Sequence, residues 1–184
     1  MFHKNQKSVK KKIAQAPSLS SFSSLASPLT KFRLKIIFRC GSSGMKKKQC
    51  LWLLPFQKKA ELVVSFCPWL QGPIAVVFCD EKKIKSLNLQ FRGKNLATDV
   101  LTFPAKFSSP EPSQPSEIYL CLEKIQAQAK NYELSLEIES IRLFVHSLAH
   151  LKGWDHENNP DEEKLMLNFE KQLLAKLGIF AIYD

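Results

Sequence analysis

The sequence predicts an α+β fold, a small mixed β-sheet of about four strands packed against helices, with the helix of residues 136–151 at its centre. Three observations carry that expectation. From about residue 50 onward, short β-rich runs alternate with stretches of helical periodicity. A length of 184 residues gives room for one ordinary domain with a real core plus a tail. The apolar share of 45% beside 24% charged residues is that of a globular chain.

Residues 1–45 read as a separate extension. They are rich in Lys and Ser, contain no acid, and are broken by Pro17 and Pro28. Such a composition buries too little surface to fold alone. It resembles a transit peptide in being basic, Ser-rich and acid-poor, although the bases are mostly Lys. A mis-assigned start is the second explanation, because Met45 precedes Lys46-Lys47-Lys48 and then the first sustained apolar stretch. The domain proper is expected over 46–184.

Within that domain, Glu61–Phe66 (ELVVSF) is expected as a strand ending at Pro68. Ile74–Cys79 (IAVVFC), opened by Gly72-Pro73, reads as a buried strand. Asp80 is a fitting N-cap for a helix that turns Ile84, Leu87 and Phe91 to the core and ends at Gly93. Thr98–Phe103 reads as a strand stopped by Pro104, and the proline- and serine-rich residues 104–116 as an exposed loop. Ile118–Cys121 gives a short strand, followed by a helix to about Asn131. Ile138, Ile141, Val145 and Leu148 recur at spacings of three and four and predict a helix from about Leu136 to Leu151, ended by Gly153. Asn159-Pro160-Asp161-Glu162 supplies an N-cap, a proline at the first helical position and acids in the first turn. The last helix is expected to bury Leu165, Phe169, Leu173 and Leu177.

The net charge of +10 suggests a nucleic-acid binder until its distribution is considered. Residues 1–60 hold 14 Lys and Arg and no acid, leaving 13 basic and 17 acidic residues for the rest. The basic excess therefore belongs to the N-terminal third, and RNA binding by the domain must rest on a local patch. Five cysteines, an odd number with no C-x-x-C pair, argue against a disulfide framework, a disulfide-linked partner or a cysteine-zinc ribbon. No apolar run approaches the roughly 20 residues of a membrane span.

Chemistry concentrates in residues 145–156. The chain has four histidines, and three of them, His146, His150 and His156, fall in this segment. On a helix, His146 and His150 lie one turn apart on one face, so two imidazoles can grip one ion at about 2.0–2.1 Å. Gly153 breaks the helix and lets the chain double back, so that His156 can supply a third ligand. Neutral imidazoles suit Zn2+, one ion per chain, and three protein ligands leave a fourth position for water, whose pKa zinc lowers to about 7. The spacing H-x-x-x-H-x-x-G-x-x-H is also that of the metzincin peptidases, which carry a glutamate base directly after the first histidine. Here that position is Ser147, which disfavours a peptidase.

With Leu151, Gly153 and Asp155 in register with the three histidines, the segment resembles the signature of the YbeY family of endoribonucleases, roughly H-G-x-L-H-L-x-G-Y-D-H. Trp154 replaces the tyrosine, Ser147 the glycine and Ala149 the leucine. A second match lies upstream, in Leu87-Asn88, Phe91-Arg92-Gly93-Lys94 and Thr98–Pro104. The likeness covers about residues 74–178. Ser116-Glu117 departs from the family's Gly-Asp, and the family's first strand and helix have no clear counterpart in residues 46–72.

The resemblance implies a zinc-dependent, single-strand-specific endoribonuclease that matures small-subunit ribosomal RNA and takes part in ribosome quality control in the cytoplasm, or in an organelle if residues 1–45 are a transit segment. It implies that Arg92 lies beside the zinc. A guanidinium there can hold a phosphate bidentately and offset developing charge. Lys94, with Lys82, Lys83 and Lys85, could extend an RNA-backbone groove, and Asp155 could orient a ligand imidazole. Two rivals stand beside this reading. A metalloprotease-like hydrolase would cleave peptides in a zinc-dependent way, and a non-catalytic assembly factor with structural zinc would tolerate Arg92→Ala.

Overall fold

The computed structural model describes residues 34–38, 51–70, 72–105, 114–155 and 159–180. In chain order these form strand β1 (Leu34–Phe38), helix α1 (Leu53–Ser65), strand β2 (Ile74–Cys79), helix α2 (Glu81–Arg92), strands β3 (Val100–Phe103) and β4 (Ser116–Cys121), and helices α3 (Leu122–Asn131), α4 (Leu136–Leu151) and α5 (Pro160–Lys176). The strands make one mixed sheet in the order β1-β2-β4-β3. β1, β2 and β4 run parallel, and β3 closes one edge antiparallel to β4. The α+β architecture is the one the alternating pattern predicts.

β2 lies between two parallel neighbours and is buried at all six positions, which is why its sequence is an unbroken apolar run rather than an alternating one. One face of the sheet packs against α1 and α4, where Phe56, Phe78, Phe144, Ile118, Leu120 and Leu148 are fully buried, and α5 packs against α4. Phe56 meets Phe78 edge-on at 5.2 Å and Phe144 at 6.1 Å, joining α1, sheet and α4 through aromatic contacts. A smaller cluster of Cys79, Ile84, Leu87, Leu101 and Cys121 lies under α2. Helix α4 packs against α1, α3, α5 and strands β3 and β4, so the histidine-bearing helix is central as expected.

Three expectations are corrected. The segment Glu61–Phe66 is not a strand but the end of α1, and its register explains the error. Phe56, Ala60, Val63 and Val64 recur at helical spacing and are all buried, a stripe seen only when the window starts near residue 53. Pro55 is tolerated because the first helical turn leaves its N–H groups without partners in any case. The second correction concerns the extension. Residues 34–38 pair with β2 from Leu34↔Ile74 to Phe38↔Phe78, so this part of 1–45 belongs to the sheet. The rest of that stretch lies outside the described residues, as do 106–113 of the expected loop. Third, Leu165 is 51% exposed, and the inward stripe of α5 is Met166, Glu170, Leu173 and Leu174.

Among the described residues, Cys67, Cys79 and Cys121 are free and buried. Burial pushes the Cys67 thiol up to about 11, and those of Cys79 and Cys121 up to about 12, so none is a thiolate near neutral pH. No helix among these residues is long and apolar enough to cross a membrane.

Candidate metal centre

α4 begins at Ser135, whose hydroxyl oxygen accepts the Ile138 N–H at 3.2 Å, and carries Glu137 and Glu139 in its first turn. Glu139 is fully buried and held bidentately by Arg142, with Nε to Oε2 at 2.9 Å and Nη2 to Oε1 at 2.7 Å. This forked ion pair fixes the first half of the helix. The second half presents His146 and His150, their rings nearly perpendicular at 4.7 Å between centroids. Gly153 follows with φ +95, a conformation that suits glycine, and the Trp154 N–H turns back to the Ala149 carbonyl at 3.3 Å.

Each imidazole is oriented through its Nδ1. His146 Nδ1 donates to Glu170 Oε1 of α5 at 2.7 Å, and Glu170 is itself buried. His150 Nδ1 donates to the Trp154 backbone carbonyl at 3.0 Å. A carbonyl and a carboxylate can only accept, so both protons reside on Nδ1 in the neutral rings and both Nε2 atoms carry lone pairs. Those two Nε2 atoms face one another at 3.1 Å. Two lone pairs at that separation repel unless a cation lies between or beside them. Two nitrogens bound to one tetrahedral zinc at about 2.0–2.1 Å would lie about 3.3 Å apart. The pair thus fits a shared metal ion, and the Nδ1 partners are the kind that ligand histidines require. His156, the expected third ligand, lies outside the described residues. Among the described residues alone, no group of three or more His, Cys, Asp or Glu could hold a metal ion.

The strand side of the site is held by Asp99. Its Oδ1 accepts the Val100 N–H at 2.9 Å and the Thr98 hydroxyl at 3.2 Å, and its Oδ2 accepts Gln128 Nε2 at 3.0 Å. Burial opposes its charge, but these hydrogen bonds, with Gln128 foremost, and the nearby His146 outweigh that effect and hold the carboxyl below its usual range. Arg92 ends α2 where Gly93, at φ +70, lets Lys94 N–H return to the Asn88 carbonyl at 3.3 Å. Arg92 and His150 line one cleft of about 280 Å³ together with Thr102, Trp154 and Asp155. The structure therefore brings Arg92 and His150, 58 positions apart in sequence, to one cleft. Lys94 is exposed on the turn after α2 and does not line that cleft. Lys82, Lys85 and Arg92 fall along one stripe of α2.

A family model described as endoribonuclease YbeY matches residues 49–178. That is more than half of the chain. The chain belongs to the YbeY endoribonuclease family. An endoribonuclease YbeY of Phytoplasma australiense is 41% identical over 107 residues, covering 56% of this chain and 74% of the relative. One from Xylella fastidiosa strain M12 is 36% identical over 135 residues, covering 66% and 83%. Membership makes the protein a nuclease of the hydrolase class.

The family's departures are now understandable. Ser147 and Ala149 are both fully buried on the core face of α4. The Ser147 hydroxyl donates to the Leu143 carbonyl at 2.8 Å, so it is turned into the helix and away from the imidazoles. It cannot serve where a peptidase needs its base. Asp155 lies exposed at the cleft, and its backbone N–H donates to Glu162 Oε2 at 2.7 Å. His146 and His150 are oriented by Glu170 and the Trp154 carbonyl instead. Sequence reasoning missed Glu170. Its signal was an acid inside an apolar stripe, four residues after Met166 and three before Leu173.

Proposed function

We propose that the protein is a zinc-dependent, single-strand-specific endoribonuclease that matures small-subunit ribosomal RNA and serves ribosome quality control. The observation that carries this reading is the pair of facing Nε2 atoms at 3.1 Å, one of them on His150, which lines a cleft with Arg92. His146 and His150 would hold the ion together with His156. When bound there, zinc would lower the pKa of a water ligand to about 7 and polarise a phosphoryl oxygen.

The chain's own residues do the rest. Glu170 and the Trp154 carbonyl keep both imidazoles in the tautomer that presents Nε2. The Arg92 guanidinium anchors the scissile phosphate bidentately and offsets charge that builds on it. Lys94 meets the flanking backbone at the cleft's approach. The partner is ribosomal RNA of the small subunit. The compartment is the cytoplasm, or an organelle where the basic N-terminal residues act as a transit segment.

The test compares zinc content and rRNA cleavage in wild type, His150→Ala and Arg92→Ala, with folding followed by circular dichroism. Wild type is expected to hold one zinc and cleave single-stranded RNA. His150→Ala loses both, and Arg92→Ala keeps the metal but loses cleavage. A wild type without stoichiometric metal overturns the zinc reading. An Arg92→Ala that supports ribosome maturation as well as wild type favours a non-catalytic assembly factor.

A further inference from the structure

Trp154 sits where the ligand helix has ended and the chain turns back, and its ring does more than fill space. It lines the cleft beside His150 and faces the region that Arg92 enters from α2. Behind it, the Lys152 ammonium lies 4.3 Å from the ring centroid, while Phe169 of α5 meets it edge-on at 5.5 Å. Lys152 is shared with Phe169 at 5.3 Å and Trp69 at 5.8 Å, so three rings surround one cation. The brace fixes the plane of the indole before any ligand arrives. The Trp154 carbonyl, bound to His150, fixes its backbone.

We infer that Trp154 is the nucleobase platform of the cleft, stacking the unpaired base next to the phosphate that Arg92 holds. A braced indole lining the same cleft as a guanidinium offers a π-face for a base and a fork for a phosphate, the two recurrent parts of single-strand recognition. A volume of about 280 Å³ is at the lower end for ligand pockets and suits one nucleotide rather than a duplex. In a duplex both faces of a base are covered by its neighbours, so stacking on Trp154 selects strands whose bases can leave the stack. The ring thus supplies single-strand preference while remaining indifferent to base identity. This inference rests on the proposed nuclease reading and assigns the substrate contact within it.

The experiment measures binding, not cleavage. The zinc-loaded full-length chain is titrated with a short non-cleavable 2′-O-methyl oligoribonucleotide, once intact and once with an abasic position scanned along it, for wild type, Trp154→Phe and Trp154→Leu. Trp154→Leu is expected to weaken binding about 5- to 150-fold, the range of one stacked base. Trp154→Phe should retain most of the affinity. In wild type one abasic position should cost a similar factor, and in Trp154→Leu that same position should cost nothing more, the signature of a direct pair. Equal abasic penalties in both proteins at every position overturn the inference, as does a loss of affinity that only follows a loss of zinc. Wild type that binds with this coupling but never cleaves RNA would sink the nuclease reading and leave the platform standing. Cleavage without the coupling would do the reverse.

Discussion

His146 and His150 lie one helical turn apart and are held in opposite ways. His146 is oriented by a side chain, the buried Glu170 carboxylate on another helix. His150 faces the cleft and is oriented by the main chain, the Trp154 carbonyl just beyond its own helix. The first arrangement depends on a charge that one substitution can delete. The second depends on a turn whose oxygen no substitution removes, so it is vulnerable only through what shapes that turn. The comparison teaches that the His146 ring is tuned by chemistry and the His150 ring by backbone geometry.

The largest effect should come from breaking the arrangement around His146. Glu170→Ala removes the acceptor for His146 Nδ1 and should weaken zinc binding about 10- to 100-fold, measured by competition with a chelator. Glu170→Gln keeps an acceptor oxygen and should recover part of that loss. Equal zinc affinity in all three proteins would show that the carboxylate does not tune the ligand. Gly153→Ala attacks the arrangement around His150. A Cβ there meets nothing within 4 Å, so the cost is the φ of +95 alone, about 1 kcal/mol. Thermal melting should fall by about 2–4 °C. Zinc affinity should drop less than in Glu170→Ala.

A smaller effect is expected from Lys152→Met, which keeps the aliphatic stem and removes the cation from its three rings. About 0.5–1 kcal/mol is at stake, visible as a modest fall in melting temperature. Lys152→Arg should restore it. The least effect near neutral pH belongs to Asp99. Its carboxyl is held below the usual range, so it contributes stability above its unfolded value of about 3.9 and loses that contribution as pH falls below it. Acid unfolding of Asp99→Asn should therefore begin from a lower stability and show a shallower pH dependence below about pH 4.

How much of this was legible depended on whether the signal was local. Helix α4 runs from Leu136 to Leu151 as its apolar spacing predicts, because a long periodic stripe with a cap at Ser135 and a glycine after it leaves little choice. β2 announced itself through an apolar run that only a doubly covered strand tolerates. α1 was misread because ELVVSF, taken alone, favours a strand, and its helical partners lie earlier at Phe56 and Ala60. β1 was missed because its evidence is the non-local pairing with β2. At the site, His146, His150 and Arg92 were recognised by residue type and motif, and the cleft unites His150 with Arg92. Phe91 was expected on the core face yet is 58% exposed, its ring resting on Phe103 at 4.9 Å where α2 overhangs the sheet edge. Of the orienting groups, a backbone carbonyl has no sequence signature, and Glu170 was marked only as an acid inside the apolar stripe of α5, its partner being set by how that helix docks.

That docking has a thermodynamic consequence. α5 supplies the Glu170 contact to one ligand and, through Phe169, the wall behind the turn that orients the other. Whatever ion occupies the site is therefore linked to the attachment of the last helix. Free metal should slow amide exchange along Pro160–Lys176 more than elsewhere, by a factor that grows with its concentration over its dissociation constant. Reciprocally, transient release of this one helix would open the route by which the metal exchanges with solvent, without unfolding the sheet.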